Sequence, residues 1–172
     1  MRLKWKGILE GAEFASYVGV LIALGVAGME YFSNTQQARI QRSIDLLTEF
    51  NAPELRADRM AVEKPWLDQD LSALGALENN AAALDHLARI IIADNPATEY
   101  SLIYIIDLLD VIGRCVGAEI CDETMINQQL GSYVDSLSCL YGSEIERLRV
   151  TKLLPRLGEG MSVISGGSRC DR

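Results

Sequence analysis

Histidine is the side chain whose charge changes near neutral pH, and this chain has one, His86. Asn79 and Asn80 precede it by seven and six residues, so amide and imidazole recur within two helical turns. A helical wheel sets His86 near Asn79 and about 160° from Leu84, away from the apolar face. Asp107 and Asp110, three apart, share a helix face. That spacing is compatible with acid–base work, but such pairs in helices more often cap or form an ion pair, here Asp110 with Arg114 one turn on. The four cysteines, Cys115, Cys121, Cys139 and Cys170, show no CxxC spacing and have one histidine to join them, so no metal site is expected. Cys115 and Cys139 fall in helical stretches and read as small core residues. Cys115 and Cys121 bracket the turn at Gly117 and Ala118 and would bond only in an oxidising compartment. There is no phosphate-binding glycine loop, nucleophile elbow or metalloprotease helix. No cofactor is expected, and the reading leans away from an enzyme.

The elements that would position these residues begin with an uncharged run at 14–29, FASYVGVLIALGVAGM. Its sixteen residues, at about 1.5 Å each, make roughly 24 Å of helix against a ~30 Å hydrocarbon core. Ile8 and Leu9 extend it, Trp5 and Tyr31 bracket it as interfacial anchors, and Lys4 and Lys6 reach headgroups. Glu10 and Glu13 make a poor start for a cleaved signal peptide, so the run reads as a retained single-pass anchor in a lipid bilayer. Gly11, Ala15, Gly19, Ala23 and Ala27 recur every fourth position and form one row along the helix. Such a row lets two copies approach closely and predicts a homo-oligomer.

After the N-terminal segment and anchor (1–30), a helical domain is expected over 31–157 and a flexible Gly- and Ser-rich tail over 158–172. Residues 1–13 hold three basic and two acidic side chains, so the remainder carries a net charge of −9, which opposes general nucleic-acid binding. Arg147, Arg149, Lys152 and Arg156 form the one basic cluster and read as a solvated face pairing with Glu144 and Glu146. Apolar periodicity predicts helices throughout. Residues 38–50 continue the anchor helix, with Ile40, Ile44, Leu47 and Phe50 on one face. A second helix opens at an Asn51–Glu54 capping box and stops before Pro65. A third spans 81–93, burying Leu84, Leu87 and Ile91. The most apolar soluble stretch, 98–116, is expected as the centre of a bundle, since Asp107 and Asp110 would each cost roughly 2.5–3.5 kcal/mol inside a membrane. Ile126, Leu130, Val134, Leu137 and Tyr141 phase a helix over 123–141, and Ser143 with Glu146 opens a last one ending by Pro155. The fold class is all-α: an N-terminal transmembrane helix followed by a small helical bundle.

The order of segments, an anchor, then QQARIQRSIDLLTEFNAPELRADR, YIIDLLDVIGRCV and GAEICDETMINQQLGSYVDSL, resembles a bacterial family of small single-pass membrane-anchored helical proteins of unknown function. The likeness is carried by Leu46 and Leu47 ahead of Phe50, Asn51, Pro53 and Glu54, and by a helix–Gly–acidic–helix unit around 117–123. Its architecture is similar to that of the membrane accessory proteins of type VI CRISPR systems. The family has no assigned catalytic residues. Asn79 or Asn80 with His86 resembles a divergent form of the Arg-x(4–6)-His signature of HEPN-type RNA-cleaving domains, without the arginine. The resemblance implies a membrane-anchored, oligomerising accessory or effector that docks a soluble protein partner, in prokaryotic antiviral defence or membrane perturbation. The alternatives are a membrane-tethered HEPN-like ribonuclease using His86 and a non-catalytic scaffold. It also implies a bacterial inner-membrane protein with a cytoplasmic C-terminal domain. Arg2, Lys4 and Lys6 before the anchor, against Arg39 and Arg42 after it, lean the other way. The cysteine spacing, which does not suggest a disulfide framework, favours the cytoplasm.

Overall fold

One helix, α1 (Lys4–Phe50), runs from the apolar segment into the bundle, as the continuous periodicity of 38–50 requires. The computed structural model describes residues 4–69 and 80–165, with side chains over 23–69 and 82–165. The chain divides into two units, 1–38 and 39–172.

In the first unit Leu24, Val26, Met29, Tyr31 and Phe32 are all exposed, and a Cβ added at Gly25 or Gly28 would meet nothing. Among the described residues no helix is long and apolar enough to cross a membrane. The transmembrane span expected at 14–29 is therefore not found there. The reason is extent: only 23–29 of that run have described side chains, and 14–22 lie outside them.

The second unit adds α2 (Pro53–Leu67), α3 (Asn80–Asp94), α4 (Pro96–Gly117), α5 (Glu123–Thr151) and the short α6 (Met161–Ile164). Among the described residues there is no strand, and the unit is a small all-α bundle. The centre is α4, which touches α2, α3, α5 and α6. Leu102, Ile105, Ile106, Leu109 and Ile112 are fully buried along it. Its start is capped by the Asn95 side chain, which accepts from the Ala97 N–H, and Pro96 supplies the first turn. Along α5, Ile126, Leu130, Val134, Leu137 and Tyr141 are all buried on one face, the phase expected from apolar spacing. Asp122 caps that helix by accepting the Met125 N–H at 2.7 Å.

Four local expectations are corrected. Asn51 does not cap α2. Its side chain donates to the Leu47 carbonyl and closes α1 instead, while Ala52 begins α2 without a side-chain cap. Pro65 lies inside α2 rather than beyond it. Proline denies a hydrogen bond to the carbonyl four residues back, and that carbonyl, Ala61 O, is taken by the buried Thr98 hydroxyl at 3.4 Å. Next to it the Tyr141 hydroxyl donates to Val62 O at 2.9 Å, so α4 and α5 both serve the α2 carbonyls around the proline. The break expected at Gly142 and Ser143 is absent, since α5 continues to Thr151 over a buried Glu144, Ile145 and Leu148. The buried row of α1 is Ser43, Leu46 and Phe50, leaving Ile44 exposed, because the Ser43 hydroxyl must reach the Asp122 N–H at 2.8 Å.

The segment after Leu157, expected within a flexible tail, is packed up to Ser165. Gly160, Met161 and Ile164 are buried, and α6 lies on α4 and α5.

Candidate functional site

Of the residues that could do chemistry, His86 stands exposed on α3. Asn80 is the first residue of α3, its side chain outside the described set, and Asn79 lies outside the described residues altogether. The expected pairing of Asn79 or Asn80 with His86 therefore lies outside the described residues. Asp107 and Asp110 are not brought together as an acid–base pair: Asp107 is exposed, whereas Asp110 is buried. Nor does Asp110 pair with Arg114. Its two oxygens accept the backbone N–H groups of Gly158 and Gly160 at 2.7 and 2.6 Å. Among the described residues no cluster of His, Cys, Asp or Glu could hold a metal.

The described cysteines are bonded, which corrects the reading of Cys115 and Cys139 as small core residues. Cys115 and Cys121 form a disulfide with Cα atoms 5.3 Å apart. Cys139 is also disulfide-bonded, and none of the described cysteines is free. The geometry follows from how α4 ends. Ile120 and Cys121 both turn back to donate N–H groups to the Cys115 carbonyl, and Glu119 takes a left-handed φ of 57° to allow it. The Glu119 carboxylate then meets Arg39 of α1 at 3.2 Å.

The small-residue row has two members among the described side chains, Ala23 and Ala27, both exposed. Gly11, Ala15 and Gly19 lie outside that set. The basic cluster is spent on carboxylates, as expected: Arg147 meets Glu144 at 2.5 Å and Arg149 meets Glu146 at 2.5 Å. The network also reaches beyond α5. Glu144, fully buried, is met by Arg89 of α3 at 3.4 Å, and Glu99 of α4 binds Arg147 at 3.0 Å and Lys152 at 2.6 Å. The Lys152 ammonium, with Arg147 behind it, holds the Glu99 carboxyl below its usual range despite partial burial.

A cleft of about 390 Å³ opens between α2 and α5. Val62, Trp66, Tyr133, Leu137 and Tyr141 form its apolar wall. Trp66 stacks edge-on against Tyr141 at 5.6 Å, and Phe50 against Tyr133 at 5.3 Å. Above those last two rings lies the Arg59 guanidinium, 4.8 Å from Phe50 and 5.2 Å from Tyr133. Arg59 is balanced by Glu63 one turn on, at 3.6 Å. Arg59 Nε and Glu63 Oε1 are the two atoms of that pair, the Trp66 indole N–H acts on the Tyr141 hydroxyl, and Arg59 acts on the Tyr133 hydroxyl. Burial, aided by the Glu63 charge, pushes the Tyr133 phenol up to about 12. Burial does the same for Tyr141. Sequence reasoning did not find this cleft. Its one signal in the sequence is an aromatic directly after Pro65, and it depends on α2 continuing through the proline.

The chain matches no protein-family model, no curated protein and no solved structure.

Proposed function

We propose that this is a membrane-anchored, self-associating helical protein whose bundle docks a soluble partner, an accessory rather than a catalytic component. What carries the reading is the first unit. Leu24 and Val26 lie about 200° apart around α1, and both are exposed, as are Met29, Tyr31 and Phe32. A helix left apolar on opposite sides has no face to give to water, and these residues continue the uncharged run at 14–29. Lipid covers such a helix, with Tyr31 at the interface, while the row through Ala23 and Ala27 suits contact with a second copy. The resemblance to small membrane-anchored proteins supplies the setting, a bacterial inner membrane and a role in antiviral defence or membrane perturbation.

The orientation we propose is the reverse of the cytoplasmic placement that the resemblance implies. The Cys115–Cys121 bond and the bonded Cys139 suit an oxidising compartment. The excess of Arg2, Lys4 and Lys6 over Arg39 and Arg42 agrees, placing the N-terminus on the cytoplasmic side and the bundle outside.

Carbonate extraction of membranes from bacteria making the full chain tests the anchor, and crosslinking in those membranes tests assembly. The protein stays in the pellet and crosslinks as an oligomer, and Gly19→Leu with Ala23→Leu abolishes the oligomer without releasing the protein. Release of the wild-type chain by carbonate would sink the anchor, and unchanged crosslinking of the double variant would place assembly in the bundle. Cysteines that react with a thiol reagent before any reductant is added would return the bundle to the cytoplasm.

A further inference from the structure

We infer that the outer face of α4 is a contact between two copies of this chain, packed antiparallel about an axis at Val111. The helix is buried on the sides it gives to α2, α3, α5 and α6, yet one row stays open: Tyr100, Tyr104, Asp107, Val111, Arg114 and Ala118. Their alternating spacing of four and three residues confines the row to about 80° of arc. A narrow row of that period is the seam by which one helix packs along another. At its middle Tyr104 is 56% exposed and Val111 39%, with Leu108 and Cys115 half-buried beside them.

Charge selects the occupant and its direction. Asp107 and Arg114 flank Val111, one turn before it and one turn after. Among the described residues neither makes an ion pair or a side-chain hydrogen bond, and roughly 10 Å of helix keeps them from pairing with each other. A parallel second copy would set Asp107 against the partner's Asp107 and Arg114 against the partner's Arg114. An antiparallel copy turned about Val111 sets each Asp107 against the partner's Arg114, so the face is complementary to itself in that direction alone. Tyr104 and Ala118 lie seven residues either side of Val111. Across the axis each ring therefore meets a methyl group, large against small, while Val111 meets its own copy. Exposed ion pairs are individually weak. The contact thus rests on the reading of the chain as anchored and self-associating, since paired anchors hold two bundles at about millimolar effective concentration.

Site-specific photocrosslinking of the full chain in bacterial membranes tests the contact, with p-benzoylphenylalanine in place of Tyr104. Irradiation yields a covalent dimer, and the same probe at Ser136, exposed on α5, yields none. Asp107→Arg or Arg114→Asp alone sets like charges together and lowers the dimer about fivefold. The two substitutions together restore it with the pairs reversed, and helicity is retained throughout because both positions are exposed. A dimer insensitive to the single reversals, or a double reversal no better than the singles, would overturn the antiparallel contact. Adducts to another protein alone would give the face to a soluble partner instead. No adduct while ordinary crosslinking still shows the oligomer would overturn the α4 contact and leave the anchor standing. An adduct retained in Gly19→Leu with Ala23→Leu would uphold the α4 contact and remove the anchor as the driver of assembly.

Discussion

Asp110, midway along α4, accepts the Gly160 N–H at 2.6 Å, and a Cβ built on Gly160 would lie 2.6 Å from the Asp110 Cα. The other carboxylate oxygen takes the Gly158 N–H, and Gly158 reaches it with a left-handed φ of 80°. One turn along α4, a Cβ on Gly113 would stand 2.1 Å from the Gly160 carbonyl oxygen. A helix and a following loop have thus closed to backbone contact, with a buried carboxylate holding the loop.

Asp110→Asn keeps one acceptor and turns an NH₂ toward an N–H, so it should destabilise the protein by about 2–3 kcal/mol. Gly113→Ala cannot be absorbed by side-chain motion, since the clash is with backbone, and should cost about as much. Urea denaturation of the full chain measures both, and a change under about 0.5 kcal/mol would show that the α4–loop contact contributes little.

The Cys115–Cys121 bond closes a short loop, six residues apart in sequence. Chain-entropy reasoning gives it about 2 kcal/mol. Cys115→Ser with Cys121→Ser should lower stability by that amount. If the pair is free in the native protein, the double variant and the wild type will denature together under non-reducing conditions.

At Pro65 the cost of a missing N–H is met across helices. Thr98→Val removes the hydroxyl that serves Ala61 O and should cost about 1 kcal/mol. Restoring the helix's own N–H with Pro65→Ala should shrink that cost, and a double-mutant cycle reads the difference. Equal costs in both backgrounds would mean that Thr98 acts through packing alone.

Alkali should weaken the fold between about pH 10 and 12. Tyr133 and Tyr141 both titrate near 12 when folded, against about 10 unfolded. A raised folded value means the native state holds the proton more tightly. The stabilisation is fully present below pH 10 and is lost as pH rises through 12, by up to roughly 2–3 kcal/mol per ring. Denaturation at pH 9, 10 and 11 measures the slope, and Tyr133→Phe with Tyr141→Phe should flatten it. A slope unchanged by the double variant would assign the loss to other groups.

How much of this was legible in the sequence depends on the range of the interaction. The α5 face from Ile126 to Tyr141 and the central place of α4 follow from apolar spacing, which needs no knowledge of partners. Short-range capping was read less well. Asn51 and Ser143 both head capping-box patterns, yet Asn51 serves the helix before it and Ser143 lies within a helix that does not break. Buried Glu144 explains the second case, since its pairing with Arg89 and Arg147 requires α5 to continue past Gly142. The cleft was least legible. It depends on α2 passing through Pro65 to place Trp66, and that rests on Thr98 and Tyr141, more than thirty residues away.

The grip of Asp110 on Gly158 and Gly160 also has a temporal meaning. On the ribosome α4 is complete some forty residues before the glycines that satisfy its carboxylate have been made. Until then the middle of the bundle holds a charged group with water for its partner, and the native core cannot seal around it. The helices form in order of synthesis, but closure waits for the 157–164 segment. For that interval α1 is already translated while the domain behind it remains open.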